Sequence, residues 1–327
     1  MAVTTTDTAV QVSVELTPKD GVVVEGSSLT VAIHVTALRT ATIDRVQVEL
    51  VRKINYTYGR GNIYGAVFPA RERSLETLLT TEVPGPGIMP AGQSRTISAT
   101  IPVPVDGPAS VRGDLIDVGW SVRCALHAAN GQVIKRERLI DVQSWGQTSA
   151  TDIGHAPVGA HLDRLVMEFI ALSSRMLEPG TPLTGILRLR AHEELSNRGV
   201  RVQLVRCEEV LHGPGHQAGP VEPGLPDEVG SDADGYRYAE SVMATATVAR
   251  AGALPAGTTV DLPFTVQTPA GLPAPSLSIA NLRVHWELRA VVDVPFHRHP
   301  RLALDLLAVT ASRQPSQPAE PSPLDTD

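Results

Sequence analysis

Two histidines and four carboxylates stand close together in one stretch of this chain: His212 and His216, then Asp227, Glu228, Asp232 and Asp234. Imidazole and carboxylate form a donor set for a divalent metal, which makes His212, His216, Asp232 and Asp234 the weak metal candidates of the sequence. Ten of the 23 residues in 213–235 are Gly or Pro, which favours a flexible, solvated loop over a rigid ligand cage. An EF-hand fails here, because Gly230 stands where the first-position Asp is needed. His297-Arg-His299-Pro300 offers a second pair of imidazoles, but it needs a third ligand from elsewhere and reads as a turn between two closing strands. His192-Glu-Glu-Leu-Ser196 opens like a zinc-protease helix, yet Ser196 takes the place of the second histidine. The chain has no Gly-x-Ser-x-Gly elbow and no phosphate loop ending in Gly-Lys-Ser/Thr, and Gly59-Arg-Gly61 with Gly65 has the wrong spacing for a dinucleotide fingerprint. No catalytic residues, no metal and no cofactor are therefore expected, and the chain reads as a non-enzyme.

A different chemistry gathers in segment 52–73. It carries Arg52, Lys53, Arg60, Arg71 and Arg73 together with Tyr56, Tyr58, Tyr64 and Phe68, and no acid until Glu72. Three of the chain's five tyrosines fall here. Tyr and Arg bury large areas while making directed hydrogen bonds, and they dominate binding hot spots. These nine residues are the candidate partner-binding surface, with Tyr58 and Arg60 expected near its tip. A strand pair with a wet basic face is the bland alternative, and stacking on single-stranded nucleic acid is a remote one.

What positions these groups is set by an internal duplication. Val46-Gln-Val-Glu-Leu-Val-Arg52 recurs as Val200-Arg-Val-Gln-Leu-Val-Arg206, and Gly26 recurs as Gly180, both offset by 154 positions. Pro90-Ala-Gly92 recurs as Pro255-Ala-Gly257 and Trp120-Ser-Val-Arg-Cys as Trp286-Glu-Leu-Arg-Ala, at offsets of 165 and 166. Blocks that keep both order and spacing mark two copies of one domain, since the period is far longer than a solenoid unit. The blocks read as strands. Apolar Val46, Val48 and Leu50 alternate with Gln47 and Glu49, the two-residue period of a strand with one wet face. Trp120, Val122, Cys124 and Leu126 share a face, as do Trp286, Leu288, Ala290 and Val292, so both tryptophans should fill cores. Pro90 and Pro255 fit position i+1 of a type I turn, with Gly92 and Gly257 at i+3. One exception to the strand pattern is 71–79, where Leu75, Leu78 and Leu79 fall at i, i+3 and i+4, the spacing of a short amphipathic helix.

Composition agrees with an all-β chain. Aromatics make up only 4%, so the core must come from Val, Leu, Ile and Ala, and β-branched residues suit a pleated sheet. A net charge of -7 argues against double-stranded nucleic acid and acidic membranes, which attract surplus Lys and Arg. Lysine occurs only at Lys19, Lys53 and Lys135; with abundant Ala, Gly and Pro, this looks like GC-rich bacterial coding. Cys124 and Cys207 read as reduced core thiols. The start lacks the features of a signal peptide, and no apolar run approaches the ~20 residues that span a bilayer, so a cytoplasmic location is expected.

The order of these blocks resembles the arrestin fold family, including bacterial sporulation-control proteins and the arrestin-like subunit of retromer. The resemblance rests on Leu254-Pro-Ala-Gly-Thr-Thr-Val-Asp-Leu-Pro-Phe264, the Pro-rich stretch after Pro269, and the strand after Leu282. In the first copy it rests on Pro90-Ala-Gly92, Ile101-Pro-Val-Pro104, Pro108-Ala-Ser110 and the strand after Trp120. It implies two tandem antiparallel immunoglobulin-like (arrestin-like) β-sandwiches: residues 1–145, a linker at 146–161, residues 162–310, and a disordered tail at 311–327. It further implies an intracellular adaptor or scaffold that binds other proteins through loops, concave sheet faces and edge strands. A self-assembling structural subunit is the alternative, and a metal-binding module or enzyme built on 212–234 is a weaker one. The family's ligase-recruiting Pro-Pro-x-Tyr motif is absent, and its buried charged cluster is not matched in the sequence.

Overall fold

A computed structural model describes residues 9–61, 67–105, 108–144, 159–162, 164–214, 236–295 and 299–311. Among these the chain is all-β, with no helix, and forms two tandem sandwiches. The first contains β1 (Val10–Thr17), β2 (Val22–Val24), β3 (Ser28–Ala37), β4 (Ala41–Gly61), β5 (Val67–Met89), β6 (Ser94–Pro102), β7 (Val111–Arg112), β8 (Ile116–Ala128) and β9 (Val133–Gln143). The second contains β10 (Gly159–Leu162), β11 (Leu165–Ile170), β12 (Met176–Leu177), β13 (Leu183–Ala191), β14 (Leu195–Val210), β15 (Arg237–Leu254), β16 (Thr259–Val266), β17 (Leu277–Ile279), β18 (Leu282–Asp293) and β19 (Arg301–Ala308).

Strand order shows the duplication directly. One sheet of the first domain runs β1-β3-β6 and the other β2-β9-β8-β4-β5, with β7 on β8. The second domain repeats this as β11-β13-β16 and β12-β19-β18-β14-β15, with β17 on β18, and adds β10 beside β11. Even the one parallel pair, β2 with β9, returns as β12 with β19.

The two-residue period explains why these segments are strands. Along β1, Val10, Val12, Val14 and Leu16 are buried and the residues between them exposed. Across from them Val31, Ile33, Val35 and Ala37 of β3 are fully buried. Each such side chain contributes roughly 1.5–3 kcal/mol on burial, which lets aliphatics do what scarce aromatics cannot. Trp120 and Trp286 fill the two cores as expected from sequence, and each indole N–H donates to a backbone carbonyl twelve residues earlier, Pro108 O at 3.1 Å and Ala274 O at 3.2 Å. Cys124 and Cys207 are both buried and unbridged.

Two sequence expectations change. The 71–79 segment is strand, within β5, rather than helix. Opposite it Leu50 pairs with Leu79 and Val51 with Thr77, so Leu78 is the extra residue of a β-bulge. The bulge breaks the two-residue period and puts neighbouring leucines against the core, which imitates helical spacing. Its copy lies in β15, where Met243 is the extra residue between Val242 and Ala244. The second change concerns the Pro-Ala-Gly turns. Gln93 N donates to Pro90 O and Thr258 N to Pro255 O, which places proline at position i and glycine at i+2. Gly92 and Gly257 have φ of 82° and 74°, the left-handed value that a type II turn requires there. A Cβ on either glycine would meet nothing within 4 Å, so the backbone alone resists substitution. Gly92→Ala and Gly257→Ala are each expected to lower stability by about 1–2 kcal/mol, read from chemical denaturation; a neutral result would show that the turns relax.

Candidate functional site

Past the core of the second sandwich, the inward face of β14 stops being apolar. Val200, Val202 and Leu204 are followed in the same phase by Arg206 and Glu208, then Val210. Both charged residues are buried, because the turn between β7 and β8 of the first domain covers them. Glu208 accepts hydrogen bonds from three successive backbone N–H groups there: Asp114 at 2.9 Å, Leu115 at 2.8 Å and Ile116 at 3.0 Å. Arg206 lies 2.8 Å from Glu208, donates to Arg112 O and pairs with Asp114, which also accepts from Ser241. Gly113 is required here for space, since a Cβ would overlap the Glu208 carboxylate and Ile116 O. Arg112 N donates to Pro273 O, and Ser144 exchanges hydrogen bonds with Thr310 and accepts one from Ala311 N. Val210, Ala274, Leu277, Leu282 and Val284 complete the junction by joining the buried cluster of the first domain.

The eight described candidate partner-binding residues do not form one patch. Strand side chains alternate, and the β4–β5 pairing puts Arg60 opposite Phe68, Tyr58 opposite Ala70 and Tyr56 opposite Glu72 on one face. Lys53 opposite Leu75, Asn55 opposite Arg73 and Thr57 opposite Arg71 occupy the other. Toward the second domain, the Tyr58 ring packs against Gly213, where a Cβ would collide with it. Tyr56 is half-buried; burial pushes its phenol up, against a hydrogen bond with Asn281 of the second domain. Arg52 is pinned by Glu76 at 2.6 Å and lies over Trp120 at 5.8 Å. Arg60, Phe68, Arg71 and Arg73 are exposed. Tyr64 lies outside the described residues.

His216, Asp232, Asp234 and His297 also lie outside them. His212 is described, and its Nδ1 is 3.1 Å from Gly213 O. His299 sits 3.4 Å from Asp293 and accepts from Val294 N, as suits a turn beside the end of β18. A cavity of about 200 Å³ at one end of the first sandwich is lined by groups such as Thr40, Thr42, Asn130 and Gln132, without a titratable side chain among its lining residues.

The sequence signal for the junction was available. Arg206 and Glu208 hold the in-facing phase of a strand, and the counterpart of Glu208 in the first copy is Ile54. A charge where the repeat has an aliphatic marks a contact beyond the domain's own core.

No family model matches the chain, and no curated protein matches it. Among the described residues no helix is long and apolar enough to cross a membrane.

Proposed function

We propose that this chain is a bacterial, cytoplasmic adaptor of the arrestin-like type, binding protein partners without catalysis. The observation that carries this reading is the pair of long ribbon edges. β5 and β15 run 23 and 18 residues, and each ends its six-stranded sheet with one strand partner among the described residues. An unpaired strand edge offers backbone N–H and C=O groups to an extended peptide. Beside the β5 edge stand exposed Arg71, Arg73 and Leu75, with Phe68 on the opposite face. The junction holds the two edges in a fixed relation, which is what a scaffold requires.

Arg71→Glu with Leu75→Glu is expected to weaken capture of the native partner by about tenfold or more, a hot-spot effect, without altering thermal stability. Affinity purification from the native host with mass spectrometry reads the result. Unchanged capture of every partner would end this placement. The same edges suit pairing between copies of the chain, and light scattering across concentration separates that second reading by the mass it reports.

A further inference from the structure

One cluster of ligating side chains lies outside both the junction and the β5 edge. It sits on the face of the second domain's six-stranded sheet that is turned away from the core, where Glu240, Cys207 and His285 form one row across β15, β14 and β18. Glu287 follows two residues along β18. A ligating atom from each of Cys207, His285 and Glu287 lies within 4.8 Å of the others, the one such group among the described residues. His285 Nε2 is 3.4 Å from Glu287 Oε1. Its Nδ1 is buried and makes no hydrogen bond.

Hydrogen bonds from neighbouring side chains hold these groups in place. Arg289 donates to Glu287 Oε2 at 2.7 Å and grips Glu240 with two more bonds, which fixes the carboxylate with Oε1 toward the imidazole. Tyr238 donates to Glu240 at 2.7 Å, and its Oη lies 3.3 Å from Cys207 Sγ. Cys207 is fully buried, while His285 is partly open to solvent, so an ion would have a way in. Nothing in the sheet itself demands this set: the matching positions of the first copy are Lys53, Gly119 and Ser121.

We propose that Cys207, His285 and Glu287 bind a zinc ion through thiolate, imidazole and carboxylate, with a fourth position open. Sulfur, nitrogen and oxygen donors together select zinc over magnesium or calcium. Zinc bonds of about 2.0–2.3 Å place tetrahedral ligands about 3.3–3.8 Å apart, so small side-chain rotations close the site. Thiolate and carboxylate balance the two charges of the ion. Because zinc takes a thiolate and a neutral imidazole, it competes with protons for the site and affinity rises with pH. The proposal is independent of the adaptor reading.

The test is metal counting on the purified full-length chain after equilibration with zinc, joined to a cobalt titration followed by absorption. One equivalent and a thiolate-to-cobalt charge-transfer band are expected. Cys207→Ser and His285→Gln should each lower affinity by more than about a hundredfold, since even outer-shell changes cost up to that much. His212→Ala with His216→Ala should leave it unchanged. Alkylation of the unsubstituted chain in mild urea, where local opening exposes buried thiols, gives a reading that survives a misfolded variant once mapped by peptide mass: zinc should slow modification of Cys207 and leave Cys124 unaffected. No bound metal, full retention in Cys207→Ser, or loss in the His212/His216 variant would overturn the site.

Discussion

Glu208→Ala is expected to lower the unfolding free energy by about 3–5 kcal/mol, the cost of breaking a buried charge pair by removing one partner. The size follows from what is left behind. Arg206 would keep Asp114, which is largely solvent-exposed and therefore a weak substitute. The N–H groups of Asp114, Leu115 and Ile116 would lose their acceptor, a carboxylate that is itself buried. Arg206→Met with Glu208→Leu should cost less than the two single changes together, because the charges are coupled. It should not be neutral, since the three N–H groups remain unpaired. Urea denaturation gives the free energies, and amide hydrogen exchange at residues 114–116 shows whether the loss is local to the junction. A Glu208→Ala loss below about 1 kcal/mol would mean that the junction is not holding the domains.

Trp286→Ala carries the second large effect, about 3–5 kcal/mol. The ring is fully buried among Leu204, Leu288 and Leu306, and its N–H satisfies Ala274 O. Truncation opens a cavity and orphans that carbonyl at once. Trp286→Phe keeps most of the packing and loses the hydrogen bond, so about 1–3 kcal/mol is expected. Trp120→Ala should fall in the same range as Trp286→Ala, because Pro108 O plays the part of Ala274 O. Chemical denaturation of the three variants checks the order. If the Phe and Ala variants of Trp286 were equal, the hydrogen bond rather than the ring would carry the site.

The repeat was the most legible part of the molecule. Val46 and Trp120 recur in the same order as Val200 and Trp286, which calls for equal folds, and the strand orders agree apart from the added β10. Alternation also put the right faces inward, from Val10 to Leu126. It failed where a strand departs from its own period, as Leu78 does at the bulge. Turn position is hidden in the sequence for another reason: Pro-Ala-Gly suits more than one turn type, and the sign of φ at glycine decides between them. The candidate partner residues separate because composition counts residues in a window, whereas a strand deals them to opposite sides. Tyr56 and Tyr58 thereby went to the second domain and Arg71 and Arg73 to solvent. The Cys207, His285 and Glu287 cluster joins residues nearly eighty positions apart, which no local motif records.

Val210, Leu277, Leu282 and Val284 belong to the second copy by chain position but share a buried cluster with Val111 and Ile116 of the first. Since the duplication, the halves have not been at liberty to drift separately along this seam. A bulkier side chain on one side must be answered by a smaller one on the other, while the far ends of each sandwich answer to their own strands alone. Severed from its twin, either half would carry a greasy scar.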